Sequence, residues 1–205
     1  MQERKLMELA EAAGNIAIVG HVRPDGDCVG SCLAVCNYIT EQYPEKTVDV
    51  YLETPPAKFS YLKQFERICS DPDTGNQYDL CICLDSGDRE RLGKNVVYLN
   101  TAKTSICIDH HITNQGYAAA NFVKADASAT CEALYDFLDE EKISRDVAEC
   151  IYTGILHDTN VFKNSNTTQR TMQVAGAMMA KGINFSRIID ESFYRKTYVQ
   201  NQIMG

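Results

Sequence analysis

The sequence predicts an α/β domain, a mostly parallel sheet flanked by helices, followed by a helical C-terminal portion. Three observations predict it. Short, nearly continuous apolar runs of strand length alternate with segments of apolar 3–4 spacing, the pattern of strands buried on both faces and of the helices that cover them. Several of those strands stop at a polar, turn-rich segment. From Ser128 onward only helical spacing remains.

The elements follow in order. Leu6, Leu9 and Ala13 give residues 2–13 a helical face, closed by Gly14. Asn15 to Val19 reads as a buried strand running through Gly20 to His21. Asp27 and Gly30-Ser31 lead into a helix through Thr40, with Leu33, Cys36, Tyr38 and Ile39 for packing. A strand is expected over Thr47–Leu52, and a short helix from Pro56 to Phe65. Polar residues 71–76 separate these from the strand Tyr78–Leu84. Val96–Leu99 and Ser105–Ile108 are two further strand candidates. Helices are expected over Thr130–Leu138 and Asp146–Leu156, from the cap at Thr167-Thr168 to Lys181-Gly182, and along the amphipathic end, Asn184–Gly205.

At 205 residues, with 44% hydrophobic and 23% charged, the chain can bury a sizeable core. No apolar run reaches membrane-span length, and the N-terminus carries acids before any apolar stretch, unlike a signal peptide. The nine cysteines include no CxxC pair and alternate in a strand or recur at helical spacing. They read as small apolar fillers in a reducing cytoplasm. A net charge of −8 argues against long duplex nucleic acid, whose binding needs a basic face. It leaves room for short or mononucleotide phosphates received by bound cations. Membrane partners are not expected, and a homodimer is left open.

Chemistry concentrates at strand ends, where open α/β sheets collect ligands. All four histidines, at 21, 110, 111 and 157, lie within a few residues of an aspartate. His21-Val-Arg-Pro-Asp25-Gly-Asp27 is a tight loop that can aim three donors into one cavity, or simply cap the next helix. Asp85-Ser-Gly-Asp88 follows a buried strand, and its first carboxylate can bridge two cations or cap a turn. Asp109-His110-His111 ends another strand. On extended chain its two histidines point opposite ways, His110 toward metal and His111 toward substrate phosphate. His157-Asp158 closes an apolar helix, where a buried, unpartnered aspartate would be costly. Histidines and carboxylates converging in this way suit a divalent metal site for hydrolysis.

These four segments resemble the motifs of the DHH phosphoesterase family, which includes oligoribonucleases that also act as adenosine-bisphosphate phosphatases and the family II inorganic pyrophosphatases. Asp85-Ser-Gly-Asp-Arg-Glu-Arg-Leu-Gly93, Asp109-His-His-Ile-Thr-Asn114, Ala127-Ser-Ala-Thr-Cys-Glu132 and Gly154-Ile-Leu-His-Asp-Thr159 are most similar to its nanoRNase-like branch. The resemblance implies a metal-dependent phosphoesterase working by two-metal activation of water. By it, His21, Asp25 and Asp85 hold one cation and Asp27, Asp85, His110 and Asp158 a second, with Asp85 bridging. Asp85 and His111 are then the catalytic pair. Asp109, Asp88, Arg89 and Arg91 orient ligands or contact substrate. The mixed shell suits Mn²⁺ better than Mg²⁺.

The resemblance also implies a division into a catalytic domain, residues 1–183, and a terminal helix, 184–205, similar to the linker that leads into a second, smaller domain. The glycine-rich, histidine-containing motif of that domain does not occur before Gly205. His157 and Asn160 depart from the family pattern near the fourth motif, and His157 is expected to be a partly exposed helix-end side chain. A pyrophosphatase-like enzyme and a non-catalytic nucleotide- or metal-binding module are the alternative readings.

Overall fold

The computed structural model describes residues 5–72 and 75–194. The alternation read from the sequence becomes α1 (Lys5–Ala12), β1 (Asn15–Val19), α2 (Gly26–Gln42), β2 (Thr47–Tyr51), β3 (Ile68–Cys69), β4 (Leu80–Leu84), α3 (Val96–Thr101), β5 (Thr104–Asp109) and β6 (Ala120–Val123). The helices α4 (Thr130–Tyr135), α5 (Arg145–Asp158), α6 (Gln169–Ala180) and α7 (Phe185–Ile189) follow. The six strands form one sheet in the order β3-β2-β1-β4-β5-β6, all pairs parallel. Ile16 sits in register between Val48 and Leu80, and Ile82 faces Ile106. The order reverses between β1 and β4, so the crevice beyond their carboxyl ends is the expected place for a ligand.

Strand alternation divides the core unequally. Ile16, Ile18, Leu80, Ile82, Leu84, Ile106 and Ile108 face the side covered by α2, α4 and α5. Ala17, Val19, Cys81, Cys83 and Cys107 face the other side, which is closed by Tyr51, Tyr78, Tyr98 and Leu92. Small side chains on that face leave room for the three rings. Tyr98 stacks on Tyr51 at 4.2 Å between centroids and meets Tyr78 edge-on at 5.4 Å. The cysteines of β4 and β5 are therefore fillers opposite large aromatics, and all nine cysteines are free.

The helix spanning β1 and β2 lies against α5 at very short range. A Cβ built on Gly30 of α2 would come within 2.6 Å of the Cys150 carbonyl and 3.1 Å of the Gly154 nitrogen, both backbone atoms of α5. This close approach brings the N-terminal end of α2 and the C-terminal end of α5, with their aspartates, to the same crevice.

Several expectations need correction. Val96–Leu99 is helical, the start of α3, and follows a 3₁₀ turn over Glu90–Asn95. A four-residue apolar run carries no decisive periodicity, and here it covers the sheet with Tyr98. The Pro56–Phe65 helix resolves into separate 3₁₀ turns, Ala57–Phe59 and Phe65–Arg67. α4 ends at Tyr135, short of Leu138. The edge strands β3 and β6 contain no fully buried residue, so they carry little apolar signal in the sequence. At the C-terminal end α7 gives way to a π turn over Asp190–Tyr194, and residues 195–205 of the expected helix lie outside the described residues. Among the described residues no helix is long and apolar enough to cross a membrane.

Candidate metal centre

The crevice between β1 and β4 is lined by donors from four chain segments. His21 follows β1 by two residues and is buried. Its Nδ1 faces the Val22 carbonyl at 2.8 Å, an acceptor, so Nδ1 is the donor and Nε2 is left toward the crevice. Nε2 lies 3.4 Å from Asp85 Oδ2 and 3.7 Å from Asp25 Oδ1. Asp25 also caps α2, accepting from the backbone N–H groups of Asp27 and Cys28. Asp25 is thus a helix cap, the plainer of its two readings, and its Oδ1 also stands near the His21 ring.

Asp85 stands just past β4 in the left-handed region, φ 54°, which aspartate tolerates better than most residues. It is almost fully buried, and its two oxygens face different neighbours. Oδ2 meets His21. Oδ1 lies 3.7 Å from His110 Nε2 and accepts from the Thr130 hydroxyl at 3.0 Å. His110 Nε2 also lies 3.2 Å from Asp158 Oδ2 and 4.0 Å from Asp27 Oδ2, while its Nδ1 faces the Ala127 carbonyl.

Asp27 is wholly buried and accepts from the backbone N–H groups of Thr130 and Cys131, at 2.6 and 2.9 Å, where α4 begins. Asp158 is carried by the last residue of α5. Three consecutive left-handed residues follow, Asn160, Val161 and Phe162. Val161 and Phe162 are costly there, by roughly 1–2 kcal/mol each. The Thr159 hydroxyl bonds to Ile155 and Phe162, and Asn164 and Asn166 donate to the Asp158 carbonyl, which pins the turn.

The electrostatics favour cations. Burial, then Asp85 and Asp158, push the Asp27 carboxyl well above the ordinary range. Burial works against a charged His110, but Asp158, Asp27 and Asp85 outweigh it and raise its pKa to about 10. Three carboxylates around one imidazole, removed from water, form a set that divalent ions would neutralise, displacing protons as they bind. His21, Asp27, Asp85, His110 and Asp158 have the donor types that suit such ions and each falls in a close donor cluster, whereas Asp25 falls in none among the described residues. Asp27, His110 and Asp158 have donor atoms within 4.8 Å of one another, as do Asp85, His110 and His111.

The two adjacent histidines do not point apart. Their ring centroids are 4.7 Å apart, because β5 ends at Asp109 and strand alternation ends with it. His111 Nδ1 donates to Asp109 Oδ1 at 2.7 Å, and its Nε2 faces the Arg91 guanidinium at 3.4 Å. Asp109 is fully buried and also accepts from Asn114. Asp88 caps the next turn through the Arg91 N–H, and Arg89 donates to Asn100 of α3. Two contributors have no role assigned from the sequence, although Thr130 lies in the segment Ala127–Glu132. Thr130 reaches Asp85 across 45 positions, and the Cys28 thiol joins His21 and Asp85 within 4.8 Å. Both depend on which helix start meets which strand end, which no local pattern encodes.

His157 lies behind the metal loop, not in it. A Cβ on Gly26 would meet its ring at 2.3 Å, Phe59 and Phe193 flank it, and Nε2 meets the Ser192 hydroxyl at 3.1 Å. Burial, with Lys58 nearby, lowers its pKa from 6.5 to about 4. Acid therefore protonates the unfolded chain before the folded one. The stability this group contributes is present above pH 6.5 and is lost as pH falls toward 4. Urea unfolding across that window should cost the wild type at most about 3 kcal/mol more than His157→Gln. Parallel pH slopes for the two proteins would sink this assignment.

The chain is similar to known proteins over most of its length. Over 184 residues the chain is 30% identical to the bifunctional oligoribonuclease and PAP phosphatase NrnA of Bacillus subtilis, covering 87% of this chain and 57% of that protein. A probable NrnA of Streptococcus mutans is 31% identical over 187 residues, covering 90% and 58%. The chain thus spans less than three fifths of the length of these relatives. The crystal structure of an exopolyphosphatase-related protein from Bacteroides fragilis superposes with a TM-score of 0.88 at 24% identity, covering all of this chain and 63% of that one. The model of the DHH family, N-terminal domain, matches residues 15–155, from β1 into α5, and the chain belongs to that family.

Proposed function

We propose that this chain is the catalytic portion of a metal-dependent phosphoesterase that hydrolyses phosphate esters of short oligonucleotides or nucleotides. One observation carries the reading: the buried Asp85 turns one oxygen toward His21 and the other toward His110, so a single carboxylate belongs to two donor sets. His21, Asp25 and Asp85 would hold one divalent cation, and Asp27, Asp85, His110 and Asp158 the other. Two cations, for which the mixed nitrogen and carboxylate shell favours Mn²⁺, would supply charge neutralisation at the phosphoryl group and a water acidic enough to attack at neutral pH.

The remaining work belongs to the protein. Asp109 fixes the His111 ring through Nδ1, and Nε2 accepts from Arg91, so the pair would present the remaining Arg91 N–H groups to a phosphoryl oxygen. Val22 and Ala127 carbonyls set the tautomers of His21 and His110 so that each presents Nε2. Thr130 and the first N–H groups of α4 hold Asp85 and Asp27 in place before any substrate arrives. Names carried by the Bacillus and Streptococcus relatives support the substrate class. Residues 1–183 would form the catalytic domain and 184–205 its connection to a further domain.

The test is a Mn²⁺-supplemented panel of pyrophosphate, adenosine 3′,5′-bisphosphate, short RNA and a linear dinucleotide. Turnover of the bisphosphate or the short RNA is expected, with none after chelation. Turnover of pyrophosphate alone would overturn the substrate class, and metal retention with no turnover of any ester would make the chain a binding module.

A further inference from the structure

His21, Cys28 and Asp85 present an imidazole nitrogen, a thiol sulfur and a carboxylate oxygen within 4.8 Å of one another, and all three residues are buried. Cys28 lies on the first turn of α2, next to Asp27, and is 0% exposed. Its Sγ rests against Gly20, where a Cβ would come within 2.4 Å, so the backbone between β1 and His21 is cut back to admit sulfur. Its contacts are thiol contacts of the weak kind, a long one to the His21 carbonyl at 3.9 Å and others to the His21 ring and the Cys32 thiol, and none is to a charged carboxylate that a metal would have to displace.

We infer that His21, Cys28 and Asp85 form a site for a thiophilic divalent ion, Zn²⁺ or Cd²⁺, that shares two donors with the hydrolytic centre and excludes its hard cation. The inference rests on reading His21 and Asp85 as metal-binding residues, not on the reaction they serve. The donor chemistry separates the ions. Asp25, Asp85 and His21 are the nitrogen and oxygen set that suits Mn²⁺, whereas sulfur draws Zn²⁺ or Cd²⁺. Bond lengths of about 2.0–2.3 Å place tetrahedral donors about 3.3–3.8 Å apart, within reach of the observed spacing after a small contraction. The ion takes the sulfur lone pair as the Sγ–H proton leaves for solvent, and no electron is transferred. An ion seated there occupies His21 Nε2 and an Asp85 oxygen, so one half of the hydrolytic donor set is lost while it stays.

The test is titration of the metal-free full chain with Cd²⁺, followed by the thiolate-to-cadmium charge-transfer absorption, with Mn²⁺ as competitor. The wild type should gain the band with the first equivalent and release Mn²⁺ as it does. Cys28→Ser should lack the band and bind Cd²⁺ at least about tenfold more weakly. Cys32→Ser, one turn along the same helix, should keep both the band and the affinity. Cys28→Ala is read beside Cys28→Ser, with thermal melts of both, so that a folding defect in one leaves the other to decide. A band that persists in the folded Cys28 variants, or Cd²⁺ binding to the wild type with no thiolate band, overturns the inference. The Mn²⁺-loaded wild type on the ester panel keeps the two readings apart: activity without the band sinks only this one, and the band without activity sinks only the proposed function.

Discussion

Asp85→Asn should lose Mn²⁺-dependent hydrolysis by roughly a thousandfold or more while remaining folded. Asparagine has the same shape, tolerates the left-handed backbone at this position, and can still accept from the Thr130 hydroxyl through its amide oxygen. What it lacks is a second anionic oxygen, so one of the two donor sets that Asp85 joins is left incomplete. In the metal-free protein the same change removes a buried negative charge from beside Asp27, whose carboxyl is already pushed up by that neighbour. The lost attraction to His21 and His110 offsets that gain, so thermal stability without metal should stay close to the wild type's. Activity lost with stability kept is the signature. Retained turnover, or a variant that melts far below the metal-free wild type, would mean that Asp85 holds the fold and not the ions. Asp85→Ala should be equally inactive and somewhat less stable, because alanine resists a φ of 54°.

Gly30→Ala should destabilise the protein by about 2–3 kcal/mol, a fall in Tm of roughly 4–12 °C. The added methyl would meet the Cys150 carbonyl and the Gly154 nitrogen, and neither can move without shifting α5 itself. The buried Cys131 side chain lies 3.3 Å from the same point, so separating α2 from α5 opens space that nothing fills. The displacement would also part Asp27, on α2, from Asp158, on α5, which both face His110. Metal affinity should fall with stability in this variant, although residue 30 touches no donor. Calorimetry with and without Mn²⁺ checks both effects. An unchanged Tm would show that the two helices slide apart at little cost.

The parts of this protein legible in its sequence are those written locally. A buried strand announces itself as an apolar run, and β1, β4 and β5 each end beside a residue that chemistry would choose: His21, Asp85, Asp109 and His110. The caps of α2 and α6 are equally local, resting on Asp25 and Thr168. What was not legible depends on distance. Val96 to Leu99 has the composition of a strand and becomes a helix because the ring of Tyr98 is needed over the small side chains of β1 and β4. The facing of His110 and His111 depends on where β5 stops pairing with β6, a property of the register and not of the tripeptide. Cys28 reads as a filler by composition, and its nearness to Asp85 follows only once β1 and β4 lie side by side.

A carboxylate owned jointly by two donor sets has a thermodynamic consequence. If two ions bind as proposed, the one that reaches an oxygen of Asp85 first would fix the rotation of the carboxylate, and with it the position of the oxygen left for the second. The two affinities would then be linked, and by reciprocity each ion would alter the other's binding by the same factor. The centre would respond to metal supply as a unit, with its sensitivity set by a single rotatable bond at the end of β4.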